Sequence, residues 1–242
     1  MTLAPPAPPE AHSDKRRYVR EMFGAIAPRY DLLNHLLSLN IDRAWRRKAV
    51  DRLGWERRPA GTYLDACAGT LDLAAELARR SGFAGTVVGA DFAEPMLRRG
   101  VAKPSTGAIR AAVADTLLLP FRDGTFDGAM VGFGMRNLDD LGAGLRELRR
   151  VLRPGARLVV LDFSTPPGAG LRALYLFYFH RVLPLIGRVV SGHPTAYAYL
   201  PASVELFPAP EAVRRHMAEA GLGDCSYRLL TGGIAAIHWG TR

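Results

Sequence analysis

The sequence predicts an α/β fold in which a largely parallel β-sheet is covered by helices on both faces. Between residues 62 and 164, short apolar runs alternate with amphipathic stretches of about ten residues, the order expected of parallel strands joined by crossover helices. The length of 242 residues fits one such domain. A hydrophobic content of 48% with 23% charged residues is that of an ordinary globular protein, which excludes wholesale disorder and a coiled coil.

The first 58 residues are predicted to form a tail and a helical cap. Residues 1–14 hold four prolines within the first nine positions and little that can pack, so we expect a disordered tail there. Residues 15–58 are expected to form an N-terminal helical cap. Within 41–53, apolar residues recur at helical spacing, and Asp42 is a candidate N-cap.

The main domain is predicted to span residues 59–242, and its first part alternates strands and helices. The strands are the apolar runs at 62–66, 86–91, 108–115, 126–134 and 156–164. The helices are the amphipathic stretches at 71–80, 94–102 and 141–152. Gly82 stops the first of these helices, Pro95 suits the first turn of the second, and Pro154–Gly155 ends the third.

The alternation breaks after residue 165. Residues 171–190 are strongly apolar and aromatic, but three arginines and a histidine interrupt them, and a membrane span needs about 20 nearly uncharged residues. We therefore predict an apolar helical insertion over 165–205 on the substrate side, and no membrane-spanning helix. A last helix is expected at 208–221, followed by a terminal hairpin across Thr231–Gly233.

Cysteine usage and net charge indicate the cellular compartment and the class of partner. The two cysteines, Cys67 and Cys225, exclude a disulfide scaffold and a zinc cluster and suit a reducing cytoplasm. No apolar N-terminal stretch indicates a secretory signal. The net charge is +9, and residues 15–58 hold twelve Lys and Arg against five acids. This basic region favours a polyanionic neighbour, either nucleic acid or an anionic membrane face, and a solvated surface in an arginine-rich chain is the alternative.

Three acids mark the ends of three successive predicted strands. Asp65 ends the first strand, and a turn of small residues that includes Gly69 follows it, so backbone amides can approach a ligand there. A dinucleotide site would need a Gly-x-Gly-x-x-Gly turn, and only Gly69 is glycine in this window, so a diphosphate ligand is disfavoured. Asp91 can accept both hydroxyls of a ribose, and Asp115, beside Thr116, can accept from an adenine amino group.

The three acids are expected to line one crevice at the carboxyl edge of the sheet. They suit a nucleoside with an amine and a sulfonium charge; the alternative is that each aspartate caps the helix after it. The constellation resembles the class I SAM-dependent methyltransferases, whose fold is a Rossmann-like seven-stranded sheet, mostly parallel, with an antiparallel last strand. The resemblance implies S-adenosyl-L-methionine as cofactor, bound by Asp65, Gly69, Thr70, Asp91, Phe92, Met96, Asp115, Thr116 and Gly132.

Further strings narrow the resemblance to one family. YDLLNHLLSLNIDRAW at 30–45 and RVLRPGARLVVLDFS at 150–164 resemble the two signatures of the UbiE/MenG family, the ubiquinone/menaquinone biosynthesis C-methyltransferases. Between them, Gly134–Asn137 is similar to the family's Gly-x-Arg-Asn, and the resemblance covers residues 18–240. The chain departs from the family's usual residues where Leu71 replaces a glycine, Gly132 a serine and Asp162 a glutamate.

The family resemblance implies methylation of a ring carbon of a prenylated hydroquinone, with demethylmenaquinol as the first candidate and a ubiquinone precursor as the second. Arg136 would stabilise the developing phenolate, Asn137 would orient the ring or the cofactor, and His180 would act as general base. For Arg136 the alternative is an ion pair with a carboxylate such as Asp139. For His180 it is a packed core or interface residue.

The remaining implications concern the substrate and the membrane. Tyr30, Tyr197 and Tyr199 are expected to contact the substrate, with packing as the alternative. The insertion offers more apolar surface than a small polar substrate needs, which suits a lipid tail; a core helix or a homodimer interface is the alternative. The basic region 15–58 would then face anionic lipid headgroups. We therefore expect a cytoplasmic enzyme, peripheral to the inner membrane face, with a lipophilic quinol substrate, no metal and no nucleic-acid partner.

Other functions stay open from the sequence alone. A methyltransferase of the same fold acting on another hydroxylated aromatic or lipid is one. A non-catalytic SAM-binding scaffold of a quinone-synthesis complex is another, and Leu71 and Gly132 are the residues that keep it open. An NAD-dependent oxidoreductase is disfavoured by the missing glycines. Nucleic-acid methylation lacks both interleaved aromatic and basic residues and an Asn-Pro-Pro-Tyr-like tetrad.

Overall fold

A sheet of seven strands runs through the part of the chain that the structure describes. The structure is a computed structural model, and it describes residues 12–27, 38, 40–103, 107–182 and 196–242. The strands are β1 (Thr62–Ala66), β2 (Thr86–Asp91), β3 (Ile109–Val113), β4 (Phe126–Gly132), β5 (Leu152–Phe163), β6 (Gly223–Leu230) and β7 (Ala235–Thr241). Their order across the sheet is β3-β2-β1-β4-β5-β7-β6.

The strand directions are those of the predicted fold class. Strands β1 to β5 pair with one another in parallel, and β7 runs antiparallel to both β5 and β6. From β1 the chain adds β2 and then β3 on one side, and it returns to place β4 on the other side of β1. The strand order therefore reverses between β1 and β4. A ligand crevice is expected outside the carboxyl ends of the strands at such a switch point. The fold is therefore the class I SAM-dependent methyltransferase fold, as the sequence predicts.

Helices come before the first strand, between strands and in the insertion after β5. They are α1 (His12–Ile26), α2 (Ile41–Leu53), α3 (Asp72–Ala78), α4 (Glu94–Val101), α5 (Leu141–Val151), α6 (Ala169–Phe177), α7 (Ala196–Leu206) and α8 (Pro210–Glu219). Short 3-10 turns lie at Trp55–Arg57, Met135–Asn137 and Thr231–Gly233, and a π-helical segment at Tyr178–Val182 continues α6. Among the described residues, no helix combines the length and the apolar character needed to cross a membrane.

The core lies on both faces of the sheet because successive strand residues point to opposite sides. Tyr63 of β1 packs with α2 and α3, whereas its neighbour Leu64 packs with α5 and α8. Trp45 anchors α2 on the first face, where its ring meets Phe163 edge-on at 6.1 Å between centroids. Its indole N–H also donates to Thr231 Oγ1 at 2.9 Å, which ties the cap to the terminal hairpin.

Two expectations for the N-terminal region need correction. Residues 12–14, assigned to the tail, begin α1 because the prolines that break a helix all lie upstream of them; the rest of that tail, 1–11, lies outside the described residues. Asp42 is not the N-cap of α2. Asn40 holds that position with φ 60°, whereas the Asp42 carboxylate accepts from Ser38 Oγ at 2.7 Å and pairs with Arg46 one turn further along.

The predicted insertion is helical where it is described. Within 165–205 the structure places α6, the π-helical segment and most of α7, and residues 183–195 lie outside the described part. Tyr175 and Phe179 of this region pack with Val19 of α1 and Tyr199 of α7. The insertion and α1 therefore share one apolar cluster beside the carboxyl edge of the sheet.

Candidate active site

A cleft opens at the carboxyl edge of the sheet, next to the ends of β1, β2 and β4. The space between its lining residues, open solvent included, is about 640 Å³. Asn137, predicted to be catalytic, is among its lining residues. So are seven of the nine residues predicted to bind the cofactor: Gly69, Asp91, Phe92, Met96, Asp115, Thr116 and Gly132. The other two, Asp65 and Thr70, lie buried outside this lining.

The loop after β1 has an unusual backbone. Cys67, Gly69 and Leu71 all adopt left-handed φ angles, of 51°, 52° and 65°. Glycine adopts this region freely, whereas other residues pay a steric cost there. The loop is held from both sides: the Ala68 N–H donates to the Ala90 carbonyl at 3.0 Å, and Lys103 Nζ donates to the Thr70 carbonyl at 3.0 Å. The strain is concentrated where small residues were predicted to approach a ligand.

Asp65 is a fully buried carboxylate with one oxygen left over. Its Oδ2 accepts from the backbone N–H of Ala74, in the first turn of α3, at 2.9 Å. Its Oδ1 accepts no hydrogen bond from any described residue. Burial raises the pKa of Asp65 to about 8, despite the Ala74 hydrogen bond and the charge of Arg46, which both lower it. A buried acceptor of this kind fits a ligand that brings its own cationic N–H donor.

Asp91 fastens the loop and faces the cleft. One carboxylate oxygen accepts from the Gly69 N–H at 2.8 Å and the other accepts from the Ala93 N–H at 2.8 Å. Burial raises its pKa, and these backbone hydrogen bonds oppose the rise. A carboxylate has about four acceptor positions, so ribose hydroxyls can be accepted in addition to these two bonds.

Asp115 lies two residues beyond β3 and is covered by the N-terminal helix. Its Oδ1 accepts from the Leu117 N–H at 2.9 Å, and its Oδ2 pairs with the guanidinium of Arg16 on α1. The adjacent Thr116 Oγ1 lies 3.3 Å from Cys67 Sγ, and burial raises the pKa of that thiol, which keeps it neutral. All three acids accept hydrogen bonds from backbone N–H groups. None of them is the N-cap of the helix after it, because Leu71 holds that position in α3, Ala93 in α4 and Asp140 in α5. Two of the acids also line the cleft.

Arg136 forms a buried ion pair, and its partner differs from the one we expected. Its Nη1 lies 2.7 Å from Asp162 Oδ1 and also donates to the Phe133 carbonyl, while its backbone N–H donates to Asp162 Oδ2 at 3.3 Å. Both side chains are nearly inaccessible, at 6% and 1% exposure. The expected alternative partner, Asp139, lies instead near Lys15 Nζ, 4.0 Å away.

Asn137 links the cleft to the insertion. Its Oδ1 accepts a hydrogen bond from the Tyr199 hydroxyl at 3.2 Å. Tyr199 is buried and does not line the main cleft; its ring packs against Tyr18 of α1 at 5.9 Å between centroids. Burial raises the pKa of Tyr199 to about 12. The hydrogen bond fixes the Asn137 amide at the boundary between the acidic cleft and the aromatic cluster.

Three predicted residues fall wholly or partly outside the described structure. Tyr30 lies in the segment 28–37, which is not described. The backbone of His180 belongs to the π-helical segment and that of Tyr197 to α7, but their side chains lie outside the described residues. Their assigned roles stay predictions.

Helix α1 supplies site residues that the sequence analysis missed. Arg16 and Phe23 line the cleft, and Lys15 Nζ donates to the Leu138 carbonyl at 2.8 Å. The basic residues of 15–58 were expected to face either a polyanionic partner or solvent; some of them pair within the protein, Arg46 with Asp42 and Asp72, and Arg16 with Asp115. In the sequence, the surplus of arginine was the only sign of these site residues. A surplus does not show which acid each arginine pairs with, and Arg16 and Asp115 are 99 residues apart.

The site has hydrogen-bond donors and acceptors that suit a nucleoside. Among the described residues, no group of three or more His, Cys, Asp or Glu could hold a metal ion. The sequence model of the ubiE/COQ5 methyltransferase family matches residues 11–242. The chain belongs to this family. Membership in the ubiE/COQ5 family makes it a SAM-dependent C-methyltransferase with S-adenosylmethionine as cofactor, and the unpaired Asp65 oxygen and the acid-lined cleft fit that cofactor.

Individual relatives agree with the family match. A demethylmenaquinone methyltransferase of Thermus thermophilus is 52% identical over 223 residues, which cover 91% of this chain and 100% of the relative. A ubiquinone/menaquinone biosynthesis C-methyltransferase UbiE of Geobacter sulfurreducens is 44% identical, covering 95% of this chain and 90% of the relative. A solved SAM-dependent methyltransferase of Thermotoga maritima has a TM-score of 0.63 at 17% identity, covering 91% of this chain and 98% of that chain, and supports the fold.

Proposed function

We propose that this ubiE/COQ5 family member methylates a ring carbon of a prenylated hydroquinone and converts demethylmenaquinol to menaquinol. The name of the Thermus relative, 52% identical over its whole length, supports this substrate. The observation that carries the proposal is the contact between Asn137 of the acidic cleft and Tyr199 of the aromatic cluster. That contact brings a site for a polar cofactor next to a site for an apolar ring.

The chemistry joins an electrophile to an aromatic carbon. S-adenosylmethionine, when bound, supplies a methyl group on a positively charged sulfur. The quinol ring carbon takes up that methyl group and loses its own proton, so aromaticity returns. A phenol of ordinary pKa, about 10, is a modest nucleophile, and removing its proton places charge on the ortho carbon. The protein must hold the ring in line with the donor and exclude water.

The residues predicted to be catalytic have distinct roles in this proposal. Arg136, held rigidly by Asp162, places a positive charge beside the developing phenolate. Asn137, fixed by the Tyr199 hydroxyl, orients the ring or the cofactor. His180 accepts the phenolic proton as general base. Tyr30 and Tyr197 border the ring.

A ubiquinone precursor is the second candidate substrate. The relative from Geobacter sulfurreducens bears the name ubiquinone/menaquinone biosynthesis C-methyltransferase, which covers both ring types. The two substrates differ in ring size, naphthalene against benzene, so the fit of the ring pocket decides between them.

The enzyme meets its substrate at a membrane surface. Leu171, Leu174 and Phe177 of α6 are 37%, 64% and 60% exposed, an apolar face that suits acyl chains. Arg172 on the same helix and the exposed arginines of α1 suit anionic headgroups. A cytoplasmic location at the inner membrane face follows from this proposal, and a homodimer through α6 is the competing use of the same face.

One assay tests the substrate. The protein is incubated with radiolabelled S-adenosylmethionine and reduced demethylmenaquinone, and in parallel with a reduced demethylated benzoquinone, and label is followed into the quinol fraction. We expect label in the naphthoquinol at a kcat/KM above that for the benzoquinol. The reverse preference would favour the ubiquinone precursor. Cofactor binding by calorimetry with no label in either quinol would overturn the proposal in favour of a non-catalytic scaffold.

A further inference from the structure

Tyr175 of α6 carries a buried hydroxyl without a partner. The residue is 5% exposed, and its hydroxyl makes no hydrogen bond to any residue of the structure's described part. Its ring stacks on Phe179 with 4.2 Å between centroids and packs in the cluster shared with α1 and α7. The packing therefore uses the ring, and the described residues offer the hydroxyl oxygen no partner.

An unpaired buried hydroxyl lowers stability, because it loses its hydrogen bonds to water and gains none. A phenylalanine would keep the ring contacts with Phe179 and avoid this cost. Buried polar groups in folded proteins are nearly always paired, so an exception calls for a ligand or a functional role. The Tyr175 hydroxyl is thus a donor that a bound molecule can use.

A run of aromatic rings leads from the cleft to this hydroxyl. Phe133 lines the cleft and packs on Phe163 at 4.8 Å between centroids; Phe163 meets Phe179 edge-on at 6.3 Å, and Phe179 stacks on Tyr175. The guanidinium of Arg136 lies over the Phe163 ring, 5.3 Å from its centroid. The Arg136 guanidinium and its partner Asp162 lie beside these rings, and the Tyr175 hydroxyl lies at their far end, so an aromatic substrate along the rings would meet polar groups at these positions.

Electrostatics makes Tyr175 a donor. Burial raises the pKa of its phenol, the charge of Asp162 raises it further, and Arg136 opposes the rise. The hydroxyl therefore keeps its proton at neutral pH and cannot act as the base. It can stabilise negative charge on an oxygen by donating, and the stabilisation grows as that charge grows.

We propose that the Tyr175 hydroxyl donates a hydrogen bond to one ring oxygen of the quinol, and that this bond selects which ring carbon faces the methyl donor. The inference rests on the proposed quinol substrate and adds a substrate contact that the sequence analysis did not assign. Tyr175 anchors one oxygen from α6, whereas Arg136 and Asn137 act from the end of β4. Two fixed points on a flat ring define its orientation in the plane.

Tyr175→Phe tests the inference, with Tyr227→Phe on β6, remote from the cleft, as the matched control. Loss of a hydrogen bond to a charged oxygen should lower kcat/KM for the quinol about tenfold or more. Two readouts separate this from a structural role. The melting temperature of Tyr175→Phe should equal or exceed that of the wild type, and the affinity for S-adenosylhomocysteine should be unchanged.

Substrate analogues locate the bond. Two regioisomeric naphthols, each keeping one of the two ring hydroxyls, are compared for binding in the presence of S-adenosylhomocysteine. Tyr175→Phe should weaken binding of one isomer and leave the other unchanged. Equal kcat/KM for wild type and Tyr175→Phe, or a drop in melting temperature with no isomer preference, would overturn the inference while leaving quinol methylation intact. A wild type that labels no quinol would instead refute the proposed function.

Discussion

The Leu71 side chain fills the space that a Cβ atom on Gly89 would occupy. The same side chain covers Gly100 of α4, where a Cβ would lie 2.7 Å from Leu71 Cγ and 2.8 Å from the Thr70 carbonyl. Leu71 is 3% exposed and stands at a left-handed φ of 65°, a region that glycine adopts more readily. The cost of that backbone angle is offset by burial of an isobutyl group between two glycines. Side-chain packing therefore stabilises the cofactor loop at a position where a glycine would adopt the left-handed backbone angle without strain.

Gly89→Ala should displace the cofactor loop. The new methyl group overlaps Leu71 Cδ2, so we expect a loss of about 1–3 kcal/mol in unfolding free energy, together with weaker binding of S-adenosylmethionine. Urea unfolding and calorimetry measure the two effects. Gly170→Ala is the control, because a Cβ there meets nothing within 4 Å.

The double variant identifies the cause. Leu71→Ala alone should cost about 2–5 kcal/mol by leaving a cavity. Because it also removes the overlap, the double variant with Gly89→Ala should be less destabilised than the two single losses together, by about 0.5–3 kcal/mol. Strict additivity would show that the two side chains do not compete for one space.

Substitutions of the Arg136–Asp162 pair should affect stability and catalysis differently. Asp162→Asn leaves a guanidinium buried without its carboxylate and should cost about 3–5 kcal/mol, whereas Asp162→Glu keeps the charge and should cost less. Arg136→Met combined with Asp162→Leu should regain much of that stability, since apolar residues often replace a buried pair without loss. Turnover of the quinol should stay lost. Recovery of turnover in the apolar pair would contradict a role for Arg136 in charge stabilisation.

Asp91 and Asp115 should respond differently to removal. Asp115→Ala gives up an ion pair with the half-exposed Arg16 and one hydrogen bond from the Leu117 N–H, and should cost about 1–2 kcal/mol of stability, while cofactor affinity falls about tenfold or more. Asp91→Ala also releases the Gly69 and Ala93 N–H groups and should lower both stability and affinity. Unfolding curves and calorimetry on the same samples provide the comparison. Equal stability losses in the two variants would argue against the loop-fastening role of Asp91.

The unfolding free energy of the cofactor-free protein should depend on pH because of Asp65. Its pKa is about 8 in the folded protein against 3.8 for the free side chain, so the folded state binds one proton more between these values. Stability is then greatest at low pH and falls as pH rises toward 8, by at most about 1.4 kcal/mol per unit. The difference in unfolding free energy between wild type and Asp65→Asn, measured from pH 5 to pH 8.5, should reveal this fall.

Cofactor binding should weaken this dependence of stability on pH. A cationic donor beside Asp65 favours the carboxylate, so saturating S-adenosylmethionine should flatten the difference between wild type and Asp65→Asn. A fall that persists unchanged at saturation would place the cofactor's charge away from Asp65.

The exposed face of α6 should govern binding to membranes. Leu174→Glu with Phe177→Glu should reduce flotation with anionic vesicles more than tenfold, because each side chain contributes about 1.5–3 kcal/mol when it leaves water. Val101→Glu with Leu118→Glu is the control, with similar exposure away from α6. Flotation unaffected by the α6 changes would leave this face to another partner, including a second copy of the chain.

Local sequence signals predicted where most strands lie and predicted the side-chain partners poorly. One strand differs: β5 begins at Leu152, four residues before the predicted start, and includes the Pro154–Gly155 pair that was expected to end the helix before it. β1 and β2 begin and end at the predicted residues because an apolar run stands between a glycine and an acid in each case. Arg136 illustrates the other side. Asp139 is its neighbour in sequence, but the parallel pairing of Gly132 with Leu161 brings Asp162 beside the turn that follows β4. Register across a sheet decides such pairs, and no local pattern encodes it.

The site shows the same division. The strand-end acids were predictable because parallel strands end at one edge, and that edge is where Asp91 and Asp115 line the cleft. Arg16 and Tyr175 were not, since each acts through contacts with residues distant in sequence. For Tyr175 the deciding feature is a missing partner, which only a packed structure reveals.

The placement of β7 has a consequence for synthesis of the protein. β7 lies between β5 and β6, although it follows both along the chain. A nascent chain leaving the ribosome from its N-terminus therefore presents β6 before the strand that joins it to the sheet exists. Thr231, which receives the Trp45 indole, also arrives late. Helix α2 cannot make this contact until residue 231 has been synthesised, and until β7 follows, β5 has an open edge that a chaperone or a second nascent chain can occupy.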